Sequence, residues 1–253
     1  MKDIKFLAML LCLVITSCSD DDPPQNANNN GGGGGGSCAG GPSTVTDIDG
    51  NVYNVVQIGN QCWMKENLKT TKYRNGTTIP GNLSDAAWSS TTSGAQADYD
   101  NDAANTTIYG KLYNWYAVAD PAGLCPTGWH VPSDSEWTVL ISTLDPQGGS
   151  SGSSSIAGGL MKATGSLQAG TGLWESPNAG ATNSSGFTGL PGGSRVSSGT
   201  FFYIGNKGFW WSSTHFSSTN AWLRYLYDLN ASVNRGYVNY SKRNGFSVRC
   251  VRD

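Results

Sequence analysis

Charge is scarce in this 253-residue chain. Asp, Glu, Lys and Arg make up 13% of it, with 16 basic against 18 acidic residues. Without a basic excess there is no field to hold a polyanion, and nucleic acid is excluded as the expected partner. Histidine is scarcer still, with only His130 and His215. The six cysteines form no CxxC pair and no Cys/His spacing of the zinc-binding kind. Serines are plentiful, yet none sits in the strand-to-helix setting of a nucleophile elbow. Long hydrophobic runs are missing as well. The apolar stretch Phe6–Ile15 has ten residues, too few to span a bilayer as a helix. What is abundant is glycine, at 34 residues, and aromatic residues, at 11%. All nine tryptophans lie between Trp63 and Trp222. Few charges, many rings and many glycines predict a loop-rich domain around a compact aromatic core.

The amino-terminal segment reads as an export signal. Lys2 and Lys5 precede the apolar stretch, which runs into Ile15-Thr16-Ser17-Cys18. That tetrapeptide resembles a bacterial lipobox, which implies cleavage after residue 17 and lipidation of Cys18. The following Ser19-Asp20-Asp21-Asp22 resembles the acidic surface-export signal of lipoproteins in Bacteroidetes-type bacteria. The expected location is therefore the outer membrane, facing the cell surface, with the lipid as the sole membrane attachment. Pro23–Ser37 (PPQNANNNGGGGGGS) holds no large apolar residue and cannot offset its ordering entropy by burial. Residues 18–37 are thus expected to be a tether with a mean span of roughly 20–25 Å. Losing residues 1–17 leaves 14 basic and 17 acidic residues, a net charge of −3.

Residues 38–253 fit one domain. Cys38, Cys62, Cys125 and Cys250 remain in an oxidising compartment, and four cysteines allow three pairings. Cys38–Cys62 with Cys125–Cys250 is favoured. The first closes a short loop beside a hairpin, and the second ties a helical region to the last strand. Val45–Met64 reads as strands, with turns at Asp49-Gly50 and Gly59-Asn60. Thr77–Thr107 reads as a long polar loop. Leu112, Trp115, Tyr116 and Ala119 recur at helical spacing, which predicts one helix over Tyr109–Ala119. Ser133-Asp134-Ser135-Glu136 is a capping box that opens a second helix through Trp137, Leu140, Ile141 and Leu144. His130, just before it, is expected to be a structural hydrogen-bonding residue. A strand, two helices and terminal strands make an α+β fold, with the two ends of the domain able to share a sheet.

Gly208–Asp253 alternates scaffold-like pieces (FWWSST, AW, GFSVRCVR) with stretches rich in Asn, Tyr, Ser, Arg and His. Flat amphipathic rings beside small hydrogen-bonding groups are the composition of an adaptable binding face. The candidate ligand residues are His215, Phe216, Asn220, Arg224, Tyr225, Asp228, Asn230, Tyr237, Asn239 and Tyr240. Trp210, Trp211 and Trp222 are expected in the core, and Arg249 and Arg252 in ion pairs or exposed. No catalytic residue, metal or cofactor is expected. A structural or surface-assembly component is the alternative reading, and an extracellular enzyme a further one.

Several segments together closely resemble the Fibrobacter succinogenes major paralogous domain of bacterial surface lipoproteins: DIDGNVYNVVQIGNQCWMKENLKTTKY, YGKLYNWYAV, CPTGWHVPSDSEW, GFTGLPGGSR, FWWSST and GFSVRCVRD. The likeness covers about Thr46–Asp253. It implies a C-type-lectin-like domain of the formylglycine-generating-enzyme branch, with two helices, short twisted antiparallel sheets and long loops. It implies no activity. The Glu-Pro-Asn or Gln-Pro-Asp loop and the Trp-Asn-Asp strand of calcium-dependent lectins are missing, so calcium-dependent sugar chelation is not expected. Cys125 and Cys250 are better read as a bridge than as a reactive pair. The Asn/Tyr/Ser-rich positions of the C-terminal segment also resemble targets of diversity-generating retroelements, which mutate adenines in proteins of this fold. A fixed set of polar loops is the competing reading. The expected partner is a glycan or a protein.

Overall fold

The computed structural model describes Cys38 and residues 40–253. The signal segment, Cys18 and the tether lie outside the described residues. The domain opens with three strands, β1 (Thr44–Thr46), β2 (Val52–Ile58) and β3 (Gln61–Met64). Turns at the expected Asp49 and Gly59-Asn60 positions separate them. Two late strands complete this sheet: β6 (Trp129–His130) and β12 (Val251–Arg252). The order is β1-β2-β3-β12-β6, antiparallel throughout, so the two ends of the domain do share a sheet.

The second sheet has the order β11-β10-β9-β7-β8. It is built from β7 (Gly192–Arg195), β8 (Phe201–Ile204), β9 (Lys207–His215), β10 (Ala221–Tyr227) and β11 (Val233–Gly236). β7 meets β9 in parallel, and the other pairs are antiparallel. A two-stranded piece joins β4 (Gln96–Ala97) to β5 (Leu112–Tyr113). The helices are α1 (Asp85–Ser90), α2 (Ala103–Tyr109), α3 (Trp115–Val118), α4 (Asp134–Leu144) and α5 (Ala157–Met161). The fold is α+β, as expected.

α4 forms for the reason the sequence announces. Ser133 Oγ accepts from Glu136 N at 3.2 Å, and Glu136 Oε2 accepts from Ser133 N at 2.8 Å. Trp137, Leu140 and Ile141 share its inner face and are fully buried. They pack with Trp63, Phe187, Trp210, Leu226 and Val233, joining both sheets around one cluster of rings. The centroids of Trp63 and Trp137 are 4.7 Å apart, and Phe187 meets Trp63, Trp137 and Trp210 at 5.8–6.0 Å. A second cluster gathers Tyr113, Trp115, Phe209, Trp211 and Phe246 around both disulfides. These are Cys38–Cys62 and Cys125–Cys250, with Cα separations of 5.6 and 6.0 Å, inside the usual range.

Several expectations are corrected. Tyr109–Ala119 is not one helix but the end of α2, β5 and α3. Gly110 at φ 77° ends α2, and Asn114 caps α3 by accepting from Ala117 N. The stretch 77–107 contains α1, β4 and part of α2 rather than a continuous loop. There are accordingly five helices among the described residues, not two. Trp222 is half-buried rather than core. Arg249 is not exposed, and among the described residues it forms no ion pair. It is fully buried and donates to Asn67 Oδ1 and to the carbonyls of Phe187 and Thr188.

Candidate functional site

The C-terminal candidates fall on β9, β10, β11 and their turns. Cross-strand pairing decides which of them share a face. Phe209 lies opposite Tyr225, Lys207 opposite Tyr227 and Trp210 opposite Arg224. Arg224 in turn lies opposite Arg235. Alternation along the strands then separates two faces.

One face meets α4. Arg224 is completely buried there; its Nη1 donates to Asp134 Oδ1 at 2.7 Å and its Nη2 to Thr138 Oγ1 at 3.1 Å. Arg235 holds the same carboxylate, through Nε at 3.0 Å and through Nη2. Burial alone would raise the Asp134 pKa, but the hydrogen bonds and charges of Arg235 and Arg224 hold it below the usual range. Arg224 is therefore a scaffold residue, not a ligand contact. Beyond the helix start this face opens into a ring cluster of Phe216, Trp222 and Tyr237, with centroids 4.4–5.2 Å apart. The Arg235 guanidinium lies 3.7 Å from the Trp222 centroid. Asn220 ties the cluster together by donating to the Tyr237 and Val238 carbonyls. His215 and Asn239 are exposed nearby in sequence.

The opposite face is rich in tyrosine. Phe209 is its buried floor, and the rings of Tyr203, Tyr225 and Tyr240 surround it at 5.7–6.3 Å. Gly236 makes room for this. A Cβ there would come within 2.6 Å of the Tyr240 ring. Burial first, and then the neighbouring Tyr225, push the Tyr240 phenol up to about 12. Lys207 Nζ stands between Tyr203 and Tyr227, 4.4 and 4.7 Å from their centroids. Phe202 and Tyr203 are each 45% exposed. Tyr203 holds φ 72°, a left-handed conformation that is unusual for an aromatic residue.

Asp228 and Asn230 belong to neither face. They flank a buried amine, Lys162, whose Nζ donates to the carbonyls of Ala179, Tyr227 and Asn230 at 2.9–3.1 Å. Asp228 is 2% exposed, and burial pushes its carboxyl above the usual range. It is withdrawn from the ligand-facing set. The Asn230 side chain is exposed, but its carbonyl is part of this knot.

The structure thus unites Tyr225 with Tyr240, and Phe216 with Asn220 and Tyr237, on opposite faces of one ribbon. Sequence reasoning missed Phe202, Tyr203 and Lys207, while Tyr227 and Arg235 lie within the polar and aromatic positions between Trp211 and Asn244 that it marked as a whole. The Phe201-Phe202-Tyr203 run beside a Gly205-Asn206 turn was the available signal, but it lies before the segment where the alternating pattern begins. His130 has the structural role expected, bridging Asp253 Oδ1 at 2.6 Å and Glu136 Oε1 at 2.8 Å. Among the described residues, no three His, Cys, Asp or Glu side chains are placed to share a metal. A recess of about 290 Å³ lined by Asp47, Thr70, Arg74, Cys125 and Thr127 includes none of the ligand candidates.

Neither curated proteins nor solved structures give a match. The family model described as the Fibrobacter succinogenes major domain matches residues 56–252, from β2 to the last strand. The chain belongs to the Fibrobacter succinogenes major domain family.

Proposed function

We propose that this chain is a surface-displayed lipoprotein recognition module, anchored through Cys18. It binds an extracellular glycan or protein through the aromatic face shared by β8, β9 and β10, without calcium-dependent chelation. One observation carries this reading: rings from three segments converge on Phe209 and leave Phe202 and Tyr203 open to solvent. A rigid aromatic surface of this kind offers large contact area at low entropic cost. Its frame is held by the sheet and by the Lys162 and Asp134 networks, so little ordering remains to oppose binding.

The test is a glycan array and a panel of extracellular proteins probed with the folded domain and with Phe202→Ala. Because Phe202 is about half-exposed, its truncation should cost no more than about 1.5 kcal/mol and leave the domain folded. Binding that weakens at least tenfold in the variant supports the reading. Absence of any binding by folded wild type, or binding indifferent to Phe202, overturns it. A surface-assembly role draws on a different observation, the exposure of Phe216 and Val238 at the other face. Concentration-dependent oligomers that disappear in Phe216→Ser would favour it.

A further inference from the structure

Lys207 is the charged residue at the centre of the tyrosine face. Its ammonium lies between the Tyr203 and Tyr227 rings, and among the described residues it makes no ion pair or side-chain hydrogen bond. Cation–π contacts at an exposed site are each worth only about 0.5–1 kcal/mol. They orient the ammonium without satisfying its three donors. The ring beside it is held at a cost, since the left-handed conformation of Tyr203 is unfavourable by roughly 1–3 kcal/mol. That conformation brings Tyr203 over Lys207 and sets it 5.8 Å from Phe202, with both rings open to solvent.

An oriented cation flanked by exposed ring faces and phenol hydroxyls matches a ligand that combines a carboxylate with an apolar C–H face and hydroxyls. A uronate-type pyranose has all three. An extended acidic peptide matches less well. Lys207 and Tyr227 are on β9 and β10, which have strand partners on both sides. The main chains around Lys207 and Tyr227 are therefore not free to add another strand, and the cation itself is reached through side chains.

We propose that the Tyr203–Lys207–Tyr227 face binds a carboxylate-bearing sugar of an extracellular polysaccharide. Lys207 pairs with the carboxylate, and Phe202 and Tyr203 pack against the ring. This deepens the recognition reading above and rests on it.

The test uses affinity electrophoresis and calorimetry with polygalacturonate and alginate. Carboxyl-reduced polygalacturonate is the neutral control and polyglutamate the acidic-peptide control. Wild type is compared with Lys207→Met, Phe202→Ala and Lys69→Met, the last controlling for surface charge elsewhere. The expected result is uronate binding that weakens at least tenfold in Lys207→Met and in Phe202→Ala. It should be unchanged in Lys69→Met and nearly absent for the carboxyl-reduced polymer. Equal affinity for polyglutamate, indifference to Lys207→Met, or no uronate binding by folded protein overturns the proposal. If other ligands still bind and Phe202→Ala weakens them, the recognition reading survives and only the carboxylate assignment falls.

Discussion

Lys162 places its ammonium among three main-chain carbonyls drawn from the 176–182 loop and the β10–β11 turn. Lys162→Met would leave those carbonyls buried without a donor. At about 1–3 kcal/mol per orphaned group, with partial relief by relaxation, a loss of roughly 3 kcal/mol is expected. Urea denaturation measures it, and a loss below about 1 kcal/mol would show that the knot is dispensable. Burial also lowers the Lys162 pKa to about 8, against the opposing effect of Asp228. The unfolded chain therefore binds the proton more tightly, and this group's contribution to stability rises with pH between about 8 and the ordinary lysine value of 10.5. The rise should vanish in the methionine variant. None of this was legible in the sequence, because carbonyl partners from any residue type leave no pattern. Trp222 was misread for a related reason. Arg224, two residues on, already meets the first residue of α4, so Trp222 extends past the helix that would have covered it.

At the level of elements, α4 was the most legible part of the fold, since its cap, its apolar spacing and its end are all written locally. Its first turn also carries a pH-dependent link. Glu136 Oε2 serves the capping box while Oε1 meets His130, which also reaches Asp253 beyond β12. Burial alone would lower the His130 pKa, but hydrogen bonds to Asp253 and Glu136 and their charges raise it. The sign follows directly. A histidine with a raised folded pKa contributes its stability below the ordinary value of 6.5, and that contribution is lost as pH rises through the raised value. The stability difference between wild type and His130→Gln should therefore be largest at pH 6 and shrink toward pH 9. A difference that stays constant over that range would show that the imidazolium does not bridge the two carboxylates. Most of the missed elements lie between Thr77 and Ala119. Their helices are short, and Gly110 and Asn114 act as a terminator and a cap inside what looks like one helical period. Periodicity over eleven residues did not detect either break.

For the whole molecule, the long disulfide and β12 anchor the chain immediately after the C-terminal ribbon. In the chain-entropy view, Cys125–Cys250 constrains the unfolded state by about 5 kcal/mol and Cys38–Cys62 by about 3.5 kcal/mol. The ribbon is held to the rest of the sheet by the pairing of β9 with β7, and the chain beyond it is fixed by the Cys250 bridge. Such a frame tolerates change where side chains face solvent and resists it where they face α4. Composition alone had treated all polar positions of the segment alike, because burial depends on strand register, which one sequence does not specify. The partition leads to an asymmetric outcome. A combined His215→Asn, Ser218→Tyr, Asn239→Ser variant replaces only exposed side chains and should melt within about 2 °C of wild type. Arg224→Ser unpairs a buried charge network, which costs roughly 3–5 kcal/mol and lowers the melting point by about 10 °C in a domain of this size. The same division applies if the segment is a target of adenine-directed diversification. Sequencing its coding region across many cells would then show variation at His215, Ser218 and Asn239 while Arg224 and Asp228 stay constant. Free variation at Arg224 in cells that still display folded protein would contradict the division between scaffold and face.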